Sequence, residues 1–389
     1  MKNIYLDNAA TSFPKPEGVV QAMCNFMENI GANPGRGGHS RSLTAGRIIL
    51  EARELLANFF SAAGVNQIIL TQNITHSLNL VIKGYLKADD HVITTRYEHN
   101  SVLRPLHRLK QKGMITLDYL PVTFQGEVDL QDLERLKRPK TSLLVVNHAS
   151  NVTGLRLPVV KLSRRAKDLG LAVLIDTAQT AGGYNFKWEQ LSALEVDFIA
   201  FTGHKGLMGP QGTGGLVISE EAASCTAPFI EGGTGSKSDE LLQPELLPDK
   251  FEAGTQNTPG IAGLAAALKF LQETGRDEIA RVIKVRTDQL YRGLQEIPGV
   301  EIVGPGLENP RVSTLSVTFR EIDPAEVAFR LDQEYGVMTR SGLHCASLAH
   351  RAAGTYPAGT LRFSPGYFTS EDEIERALSA VAELTGRLS

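Results

Sequence analysis

Two apolar runs near the middle of this 389-residue chain end in polar residues, and this pattern most constrains the fold. Residues 171–175 lead into Asp176, and residues 198–201 lead into the segment Thr202-Gly203-His204-Lys205. Short continuous apolar runs are typical of strands that are buried on both faces of a parallel sheet. Ligands bind outside the carboxyl ends of such strands in open α/β sheets. We therefore expect Asp176 and Lys205 to lie close together at one sheet edge.

Segments typical of strands and of helices alternate along the chain before residue 260. Residues 91–95 and 143–146 predict two further strands, while residues 75–87 and 158–169 predict helices. This alternation implies a mainly parallel sheet with right-handed crossovers, flanked by helices.

After residue 260 the pattern changes to long helices and one alternating strand. The helices are predicted at residues 261–273, 277–296, 324–334 and 370–388. Residues 311–319 alternate between apolar and polar side chains, which predicts a half-exposed antiparallel strand. Ser370 and Glu373 have the spacing of a capping box at the start of the last helix. This part of the chain is typical of a smaller α+β domain.

The chain is longer than one hydrophobic core usually accommodates, so we expect more than one domain. We predict a large α/β domain at residues 21–260 and a small α+β domain at residues 261–389. Residues 1–20 form an N-terminal segment that we expect to pack with the small domain.

The composition favours an intracellular enzyme. The 40 basic and 43 acidic residues leave a net charge of −3 with no long block of one sign, which argues against nucleic acid or membrane surfaces as partners. Three cysteines do not make a disulfide framework, which favours a reducing cytoplasm. No stretch approaches the roughly 18 apolar residues of a membrane span, and the N-terminus turns acidic before any signal-peptide core.

An acid and a lysine at neighbouring strand ends are the pair that pyridoxal 5′-phosphate (PLP) requires. Lys205 would form a Schiff base with the cofactor aldehyde, and Asp176 would keep the pyridinium nitrogen protonated. At about 4 Å and an effective dielectric near 20, the Asp176 carboxylate and the pyridinium nitrogen would attract each other by roughly 4 kcal/mol before desolvation. Cys345 follows in the segment Arg340-Ser341-Gly342-Leu343-His344-Cys345, and a nucleophilic thiol beside a Schiff-base lysine suggests sulfur chemistry.

These residues carry a resemblance that spans nearly the whole chain. From Tyr5-Leu6-Asp7-Asn8-Ala9-Ala10-Thr11 to Leu361-Arg362-Phe363-Ser364, the chain resembles the class V aminotransferase family of PLP enzymes. Within the family it resembles the cysteine desulfurases and selenocysteine lyases, and its Arg-x-Gly-x-His-Cys pattern looks like the sulfur-mobilisation type. The resemblance implies PLP-dependent transferase fold type I, a homodimer, and conversion of L-cysteine to L-alanine with a persulfide on Cys345. It also implies sulfur supply to an acceptor protein, for example in iron–sulfur cluster assembly.

The same resemblance assigns roles around the cofactor. His99 would stack on the ring and help move protons, while Gln179 and Asn151 would act near its phenolic oxygen. Thr75, Thr202 and His204 would contribute to the phosphate site, and a helix N-terminus beginning near Thr75 favours an anion there. Thr255 would reach into the partner subunit's site. The segment Asn73-Ile74-Thr75-His76 departs from the usual Gly-Thr-Thr-Glu, so one hydroxyl contact is in question.

The substrate and the sulfur are assigned to the C-terminal part. Arg362 would hold the substrate carboxylate through two parallel hydrogen bonds, with Arg340 and Asn151 close by. His344 or Arg340 would lower the pKa of the Cys345 thiol, and Ser341 with Gly342 suggest a mobile loop. A metal site from His344, Cys345 and His350 lacks a clear fourth ligand.

Two other functions remain open from the sequence. Selenocysteine lyase chemistry would depend less on Cys345, because selenium leaves more easily than sulfur. A non-catalytic sulfur-carrier protein could keep the fold without the cofactor, although Lys205, Asp176, His99 and Arg362 are all present.

Overall fold

The computed structural model describes residues 3–34 and 38–388 of the chain. Residues 1 and 2 of the predicted N-terminal segment, residues 35–37 of the predicted large domain and residue 389 of the predicted small domain lie outside the described residues. The strands are β1 (Ile4–Tyr5), β2 (Ile68–Thr71), β3 (Asp90–Thr94), β4 (Ile115–Tyr119), β5 (Thr141–Asn147), β6 (Ala172–Asp176), β7 (Phe198–Thr202), β8 (Gly214–Ile218), β9 (Val300–Val303), β10 (Leu315–Phe319), β11 (Val337–Met338), β12 (Arg340–Gly342) and β13 (Thr360–Phe363).

Helices separate most of these strands. They are α1 (Glu17–Asn25), α2 (Ser40–Phe60), α3 (Ile74–Gly84), α4 (Asn100–Gln111), α5 (Leu130–Leu136), α6 (Val159–Asp168), α7 (Glu189–Ser192), α8 (Glu220–Cys225), α9 (Thr258–Thr274), α10 (Arg276–Gln295), α11 (Pro324–Tyr335), α12 (Ser347–Ala352) and α13 (Glu371–Leu388). Every strand and helix predicted from the sequence has a counterpart here. No helix within the described ranges is long and apolar enough to cross a lipid bilayer.

A seven-stranded sheet forms the centre of the large unit, in the order β2-β8-β7-β6-β5-β3-β4. Strands β7, β6, β5, β3 and β4 run parallel, and β8 is antiparallel to both β7 and β2. The predicted mainly parallel sheet is therefore confirmed.

The apolar runs of the sequence follow from burial of this sheet on both faces. In β6, Val173 and Ile175 belong to the core cluster that contains α2, α6 and α9. The alternate residues, Ala172 and Leu174, belong to the cluster that contains α3 and α4. Because side chains alternate across a strand, a strand with helices on both faces requires apolar residues at nearly every position.

The second unit is a four-stranded antiparallel sheet in the order β12-β13-β10-β9, covered on one face by α10, α11 and α13. The antiparallel strand predicted around β10 is confirmed, but its predicted half-exposure is wrong. Thr314 and Ser316 on its polar face are buried, and the Ser316 hydroxyl donates to the carbonyl of Val152 at 2.6 Å. The second face of this sheet packs against the large unit, where Ser316 forms its hydrogen bond.

The N-terminal segment and two helices connect the units. Strand β1 pairs in parallel with β11, and Ile4 and Leu6 are buried with the core of the second unit. Helix α9 packs in the core of the large unit, while α10 contributes side chains to both cores. The boundary at residue 260 stays a prediction, and this packing favours a division further along, within α10. The capping box predicted at Ser370 is confirmed by two reciprocal bonds with Glu373, of 2.9 and 3.1 Å.

Candidate active site

One cavity of about 340 Å³ gathers the predicted site residues at the carboxyl edge of the large sheet. Asp176 is the last residue of β6, Thr202 is the last residue of β7, and Lys205 lies in the turn that follows. The predicted residues that line the cavity are Thr75, His99, Asn151, Asp176, Gln179, Thr202, His204, Lys205, Arg340, Cys345 and Arg362. Thr255 is the one predicted site residue that does not line this cavity.

Close backbone contact brings the Asp176 and Lys205 segments together. Gly182 has a φ of +87°, and a Cβ atom on it would lie 2.1 Å from the Gly206 carbonyl oxygen. A Cβ on Gly206 would in turn lie 2.3 Å from the carbonyl oxygen of Ala181. Only glycine fits at both positions, so these residues set how closely the two segments approach each other.

Burial shifts the pKa values of Lys205 and Asp176 towards the neutral forms of both groups. Burial lowers the pKa of Lys205 to about 8; the negative charge of Asp176 opposes this, and the positive charges of Arg362 and Arg340 add to it. Burial also raises the pKa of Asp176, against a hydrogen bond from the Ala178 N–H at 2.8 Å and the charge of Lys205. A lysine with a lowered pKa has the free amine that imine formation requires.

His99 is held as a neutral ring at the start of α4. Its Nδ1 accepts a hydrogen bond from the Ser101 N–H at 3.1 Å, as an N-cap side chain does. Burial lowers the pKa of His99 to about 4, and Lys205 and Arg340 add to the lowering. Because Nδ1 accepts, the proton of the neutral ring is on Nε2.

Ser101 is a cavity residue that the sequence reasoning missed. Its hydroxyl lies 2.9 Å from His99 Nδ1 and 2.8 Å from the Thr75 hydroxyl. Ser101 therefore links His99, which is predicted to stack on the cofactor ring, to Thr75, which is predicted to contribute to the phosphate site. The sequence could have indicated Ser101 through its position two residues after the N-cap His99, because a capping side chain binds the backbone N–H of that residue.

Several buried polar atoms along the cavity have no hydrogen-bond partner within the described residues, and among them are Thr202 Oγ1, His204 Nδ1 and Asn151 Oδ1. Each such atom costs about 1–3 kcal/mol unless a ligand pairs with it. The N-terminus of α3 also lines the cavity, where Asn73 caps the helix through the His76 N–H at 3.0 Å. The N–H groups at the start of α3, the Thr202 hydroxyl and the His204 ring can donate to a phosphate, so the cavity, with Lys205 and Asp176, fits a phosphate-bearing aromatic aldehyde. Ile74, at the departure from the family pattern, packs in a hydrophobic core and supplies no hydroxyl.

Two of the predicted cofactor contacts have additional partners. Gln179 Nε2 donates to the Ala9 carbonyl at 3.2 Å, which ties the N-terminal segment to the cavity. Asn151 Nδ2 donates to the His344 carbonyl at 2.7 Å, so this amide also holds the residue before Cys345.

Arg362 is buried and already partly paired. Its Nη2 donates to Asp7 Oδ1 at 2.7 Å and its Nη1 to the Asn151 carbonyl at 3.2 Å, while its Nε has no partner within the described residues. Asp7 was missed as a site residue, although it stands in the N-terminal segment that carries the family resemblance. Arg340 on β12 lies opposite Arg362 on the adjacent strand β13. Arg340 is exposed and has no carboxylate partner in the described chain.

Cys345 lies in a short, held segment. Its φ is +57° and that of His344 is +45°, a left-handed conformation that is uncommon outside glycine. The Cys345 carbonyl accepts from the Asn100 N–H at 2.8 Å, and its side chain remains exposed. Ser341 and Gly342 lie in β12, and the predicted mobility of this segment stays a prediction.

His344 does not supply the expected positive charge beside the thiol. Burial lowers the pKa of His344 to about 2, with Arg362 adding to the lowering, and its Nε2 lies 3.0 Å from the Thr360 hydroxyl. A neutral His344 leaves Arg340 as the cation beside Cys345. Across the described residues, no group of three His, Cys, Asp or Glu side chains is placed to bind a metal ion.

Thr255 lies away from the cavity. It lines a separate pocket with Gly233, Thr234 and Glu252. Its predicted contribution to a partner subunit's site stays a prediction.

Comparison with known proteins identifies the family. The aminotransferase class-V family profile matches residues 4–377. The chain is 35% identical to a probable cysteine desulfurase of Pyrococcus abyssi, over 99% of this chain and 95% of the relative. A solved apo structure of a cysteine desulfurase from Thermococcus onnurineus is 35% identical, with a TM-score of 0.90 over 99% of this chain and 95% of that one. The cysteine desulfurase CsdA of Escherichia coli is 28% identical, with a TM-score of 0.87 over the same shares.

This chain belongs to the class V aminotransferase family. The predicted fold type I and the predicted cofactor, PLP, are confirmed with the family.

Proposed function

We propose that this protein is a PLP-dependent cysteine desulfurase that converts L-cysteine to L-alanine and retains the sulfur as a persulfide on Cys345. One observation carries the proposal: Cys345 lines the same cavity as Lys205, Asp176 and Arg362. A transaminase requires the lysine, the acid and the arginine, but it has no use for a thiol at this position.

The residues of the large unit would hold the cofactor. Lys205 would bind it covalently, Asp176 would pair with the ring nitrogen, and the neutral His99 would lie against the ring. The phosphate would accept from the N-terminus of α3, from Thr202 and from His204, which satisfies the unpaired atoms of the last two. When bound, PLP supplies an electron sink for negative charge at the substrate α-carbon.

Lys205 and Arg362 would then act on the substrate. A free Lys205 amine takes the α-proton at Nζ, and its pKa of about 8 lets it both accept and return a proton near neutral pH. Arg362 has N–H groups left for the substrate carboxylate. The bond to Asp7 fixes the orientation of the guanidinium before the substrate arrives.

Cys345 would take the sulfur. Its thiolate attacks the substrate sulfur, so that an S–S bond forms while the Cβ–S bond breaks. The electron pair of the broken bond passes to Cβ, which is then protonated to the methyl group of alanine. The sum is L-cysteine plus the Cys345 thiol giving L-alanine plus the Cys345 persulfide, with no external oxidant or reductant.

The decisive experiment measures alanine and persulfide in the PLP-loaded enzyme after addition of L-cysteine. We expect the wild type and the control variant Cys225→Ala, which changes an exposed free cysteine elsewhere, to form both products. We expect Cys345→Ala to form neither. Alanine from Cys345→Ala at the wild-type rate would overturn the role of this thiol. Selenocysteine turnover by a variant that is inactive on cysteine would instead support the selenocysteine lyase alternative.

We further propose a homodimer in which Thr255 completes the partner's site. Exposed apolar side chains cluster near the segment of Thr255 in sequence, at Phe229, Ile230, Leu241, Leu242 and Leu246. Large apolar side chains that are exposed in such number favour a protein interface. A monomeric mass in light scattering would contradict this. A cytoplasmic location and delivery of sulfur to an acceptor protein belong to the same proposal, and the three cysteines, all free thiols, support a reducing compartment.

A further inference from the structure

Cys345 forms part of the wall between two cavities. The inner cavity is the one shared with Lys205 and Asp176. A second cavity of about 620 Å³, here called the outer cavity, lies between α4 and residues 340–348 and is lined by Asn100, Leu103, Arg104, His107, Arg340, Ser341, Leu343, His344, Cys345, Ala346, Ser347 and Leu348. Both cavities include Arg340, His344 and Cys345 in their lining. The thiol can therefore be approached from the cofactor side and from the outside.

The outer cavity is electropositive. Its charged lining residues are Arg104 and Arg340, and no Asp or Glu of the described residues lines it. Both arginines are exposed, and neither forms an ion pair with a carboxylate in the described ranges. Arg108, one turn further along α4, differs because it donates to Gln111 and does not line the cavity. Unpaired guanidinium groups are forked donors that match carboxylate and sulfonate groups.

The backbone around Cys345 holds the thiol in place. Asn100 N–H donates to the Cys345 carbonyl at 2.8 Å, Asn151 donates to the His344 carbonyl at 2.7 Å, and Ala346 N–H donates to the Leu343 carbonyl at 2.9 Å. These three hydrogen bonds hold the Cys345 segment against α4 and the turn that contains Asn151. A molecule that enters the outer cavity can therefore reach the sulfur on Cys345.

We propose that the outer cavity is an acceptor site for a small anionic thiol, bound through Arg104 and Arg340; this inference rests on the proposed desulfurase function. The volume of the cavity lies within the roughly 300–1,000 Å³ that is usual for small-molecule sites. The acceptor thiolate attacks the terminal sulfur of the Cys345 persulfide. A new S–S bond forms on the acceptor, the bond between that sulfur and Cys345 Sγ breaks, and Cys345 leaves as the thiolate. The exchange needs no oxidant or reductant.

The test isolates the transfer step by charging the holoenzyme with L-cysteine, removing the excess, and quantifying the persulfide on Cys345. Three thiols of equal two-carbon spacing are then added: 2-mercaptoethanesulfonate, 2-mercaptoethanol and cysteamine. Transfer rates are compared per persulfide and per thiolate, so that differences in persulfide load or thiol pKa do not enter. We expect the anionic thiol to react about tenfold faster than the neutral one and the cationic thiol to react slowest. This advantage should shrink as the salt concentration rises.

Variants of α4 assign the effect to the cavity. Arg104→Gln should remove most of the advantage of the anionic thiol, and Arg104→Glu should reverse the order of the anionic and cationic thiols. Arg108→Gln, the matched control one turn away, should leave the order unchanged. Persulfide that forms but reacts equally with all three thiols would overturn the acceptor site while leaving the desulfurase standing. Failure to form any persulfide on Cys345 would overturn both.

Discussion

The two halves of the inner cavity are built differently. The large unit supplies Lys205 and Asp176 from adjacent strand ends, fixed by the glycine contact between residues 182 and 206. The second unit supplies Arg362 and Cys345 from an antiparallel strand and a short left-handed segment. The first half is enclosed, so that burial lowers the pKa of its lysine and raises the pKa of its carboxyl. The second half leaves Cys345 and Arg340 exposed.

This contrast indicates a division of labour within one cavity. Groups that set the electronic state of a cofactor must be rigid and shielded from water, because water would screen their charges. Groups that meet a changing set of small molecules must remain accessible. Changes in the first half should therefore lower the rate of the chemical step, and changes in the second half should mainly weaken binding or sulfur transfer.

The largest effect is expected from Asp176→Asn. The loss of a carboxylate that attracts a protonated ring nitrogen by roughly 4 kcal/mol should lower kcat for alanine formation about 10³-fold. KM for L-cysteine should change little, because Arg362 remains in place. Steady-state kinetics and the absorption spectrum of the bound cofactor measure the two effects.

Asp197→Asn is the matched control, because Asp197 is another buried carboxylate. It lies just before β7, at the amino end of that strand, whereas Asp176 lies at the carboxyl end of β6. Asp197 pairs with Lys167 at 3.1 Å and accepts from the Val173 N–H at 2.9 Å. It should cost stability but leave the cofactor spectrum unchanged. A kcat that falls equally in both variants would mean that Asp176 acts only through the fold.

The next effect tests the glycine contact. Gly182→Ala places a Cβ atom 2.1 Å from a backbone oxygen at a φ of +87°, and we expect a loss of about 3 kcal/mol in the free energy of unfolding. Gly183→Ala is the neighbouring control, since its nearest contacts lie at 3.8 and 3.9 Å. Urea unfolding of both variants compares them directly. Equal stability of the two alanine variants would show that the segments can separate without cost.

The sequence predicted the first half of the cavity better than the second. Buried parallel strands leave a strong local signal, and the residues after each strand must meet at one edge, so Asp176 and Lys205 could be paired in advance. Asp7 and Ser101 could not, because their contacts depend on how distant segments pack. Ser316 was expected on an exposed face for the same reason: alternation shows that a strand has two faces but not what covers the polar one. The charge of His344 depends on burial, which its sequence neighbours do not reveal.

A third prediction concerns substrate binding by the second half. Arg362→Lys keeps a positive charge but loses the fork that binds Asp7, the Asn151 carbonyl and a carboxylate together. The loss of about 2 kcal/mol of charged hydrogen bonding should raise KM for L-cysteine about 30-fold. Arg330→Lys, on the exposed surface of α11, should leave KM unchanged. A fall in kcat at constant KM would show that Arg362, like Lys205 and Asp176, acts on the chemical step. That result would contradict the division of labour between the two halves of the cavity.

The smallest effect is a pH dependence that isolates Lys205. Its pKa is lowered from 10.5 to about 8, and only the unprotonated amine can attack the cofactor aldehyde. The rate at which the apoenzyme takes up PLP should therefore rise about twentyfold from pH 6.5 to 8.5 and then level off. An exposed lysine would keep gaining rate up to about pH 10.5. Stopped-flow absorbance follows the uptake, and the reaction of PLP with Nα-acetyllysine over the same range corrects for ionisation of the cofactor itself.

Asp176→Asn sharpens this last test. The negative charge of Asp176 raises the pKa of Lys205 against the effect of burial, so its removal should move the plateau to lower pH. The same substitution that slows turnover should therefore speed cofactor uptake at pH 7. An unchanged profile would show that the two strand ends do not interact electrostatically, and the enclosed half would then owe its function to geometry alone.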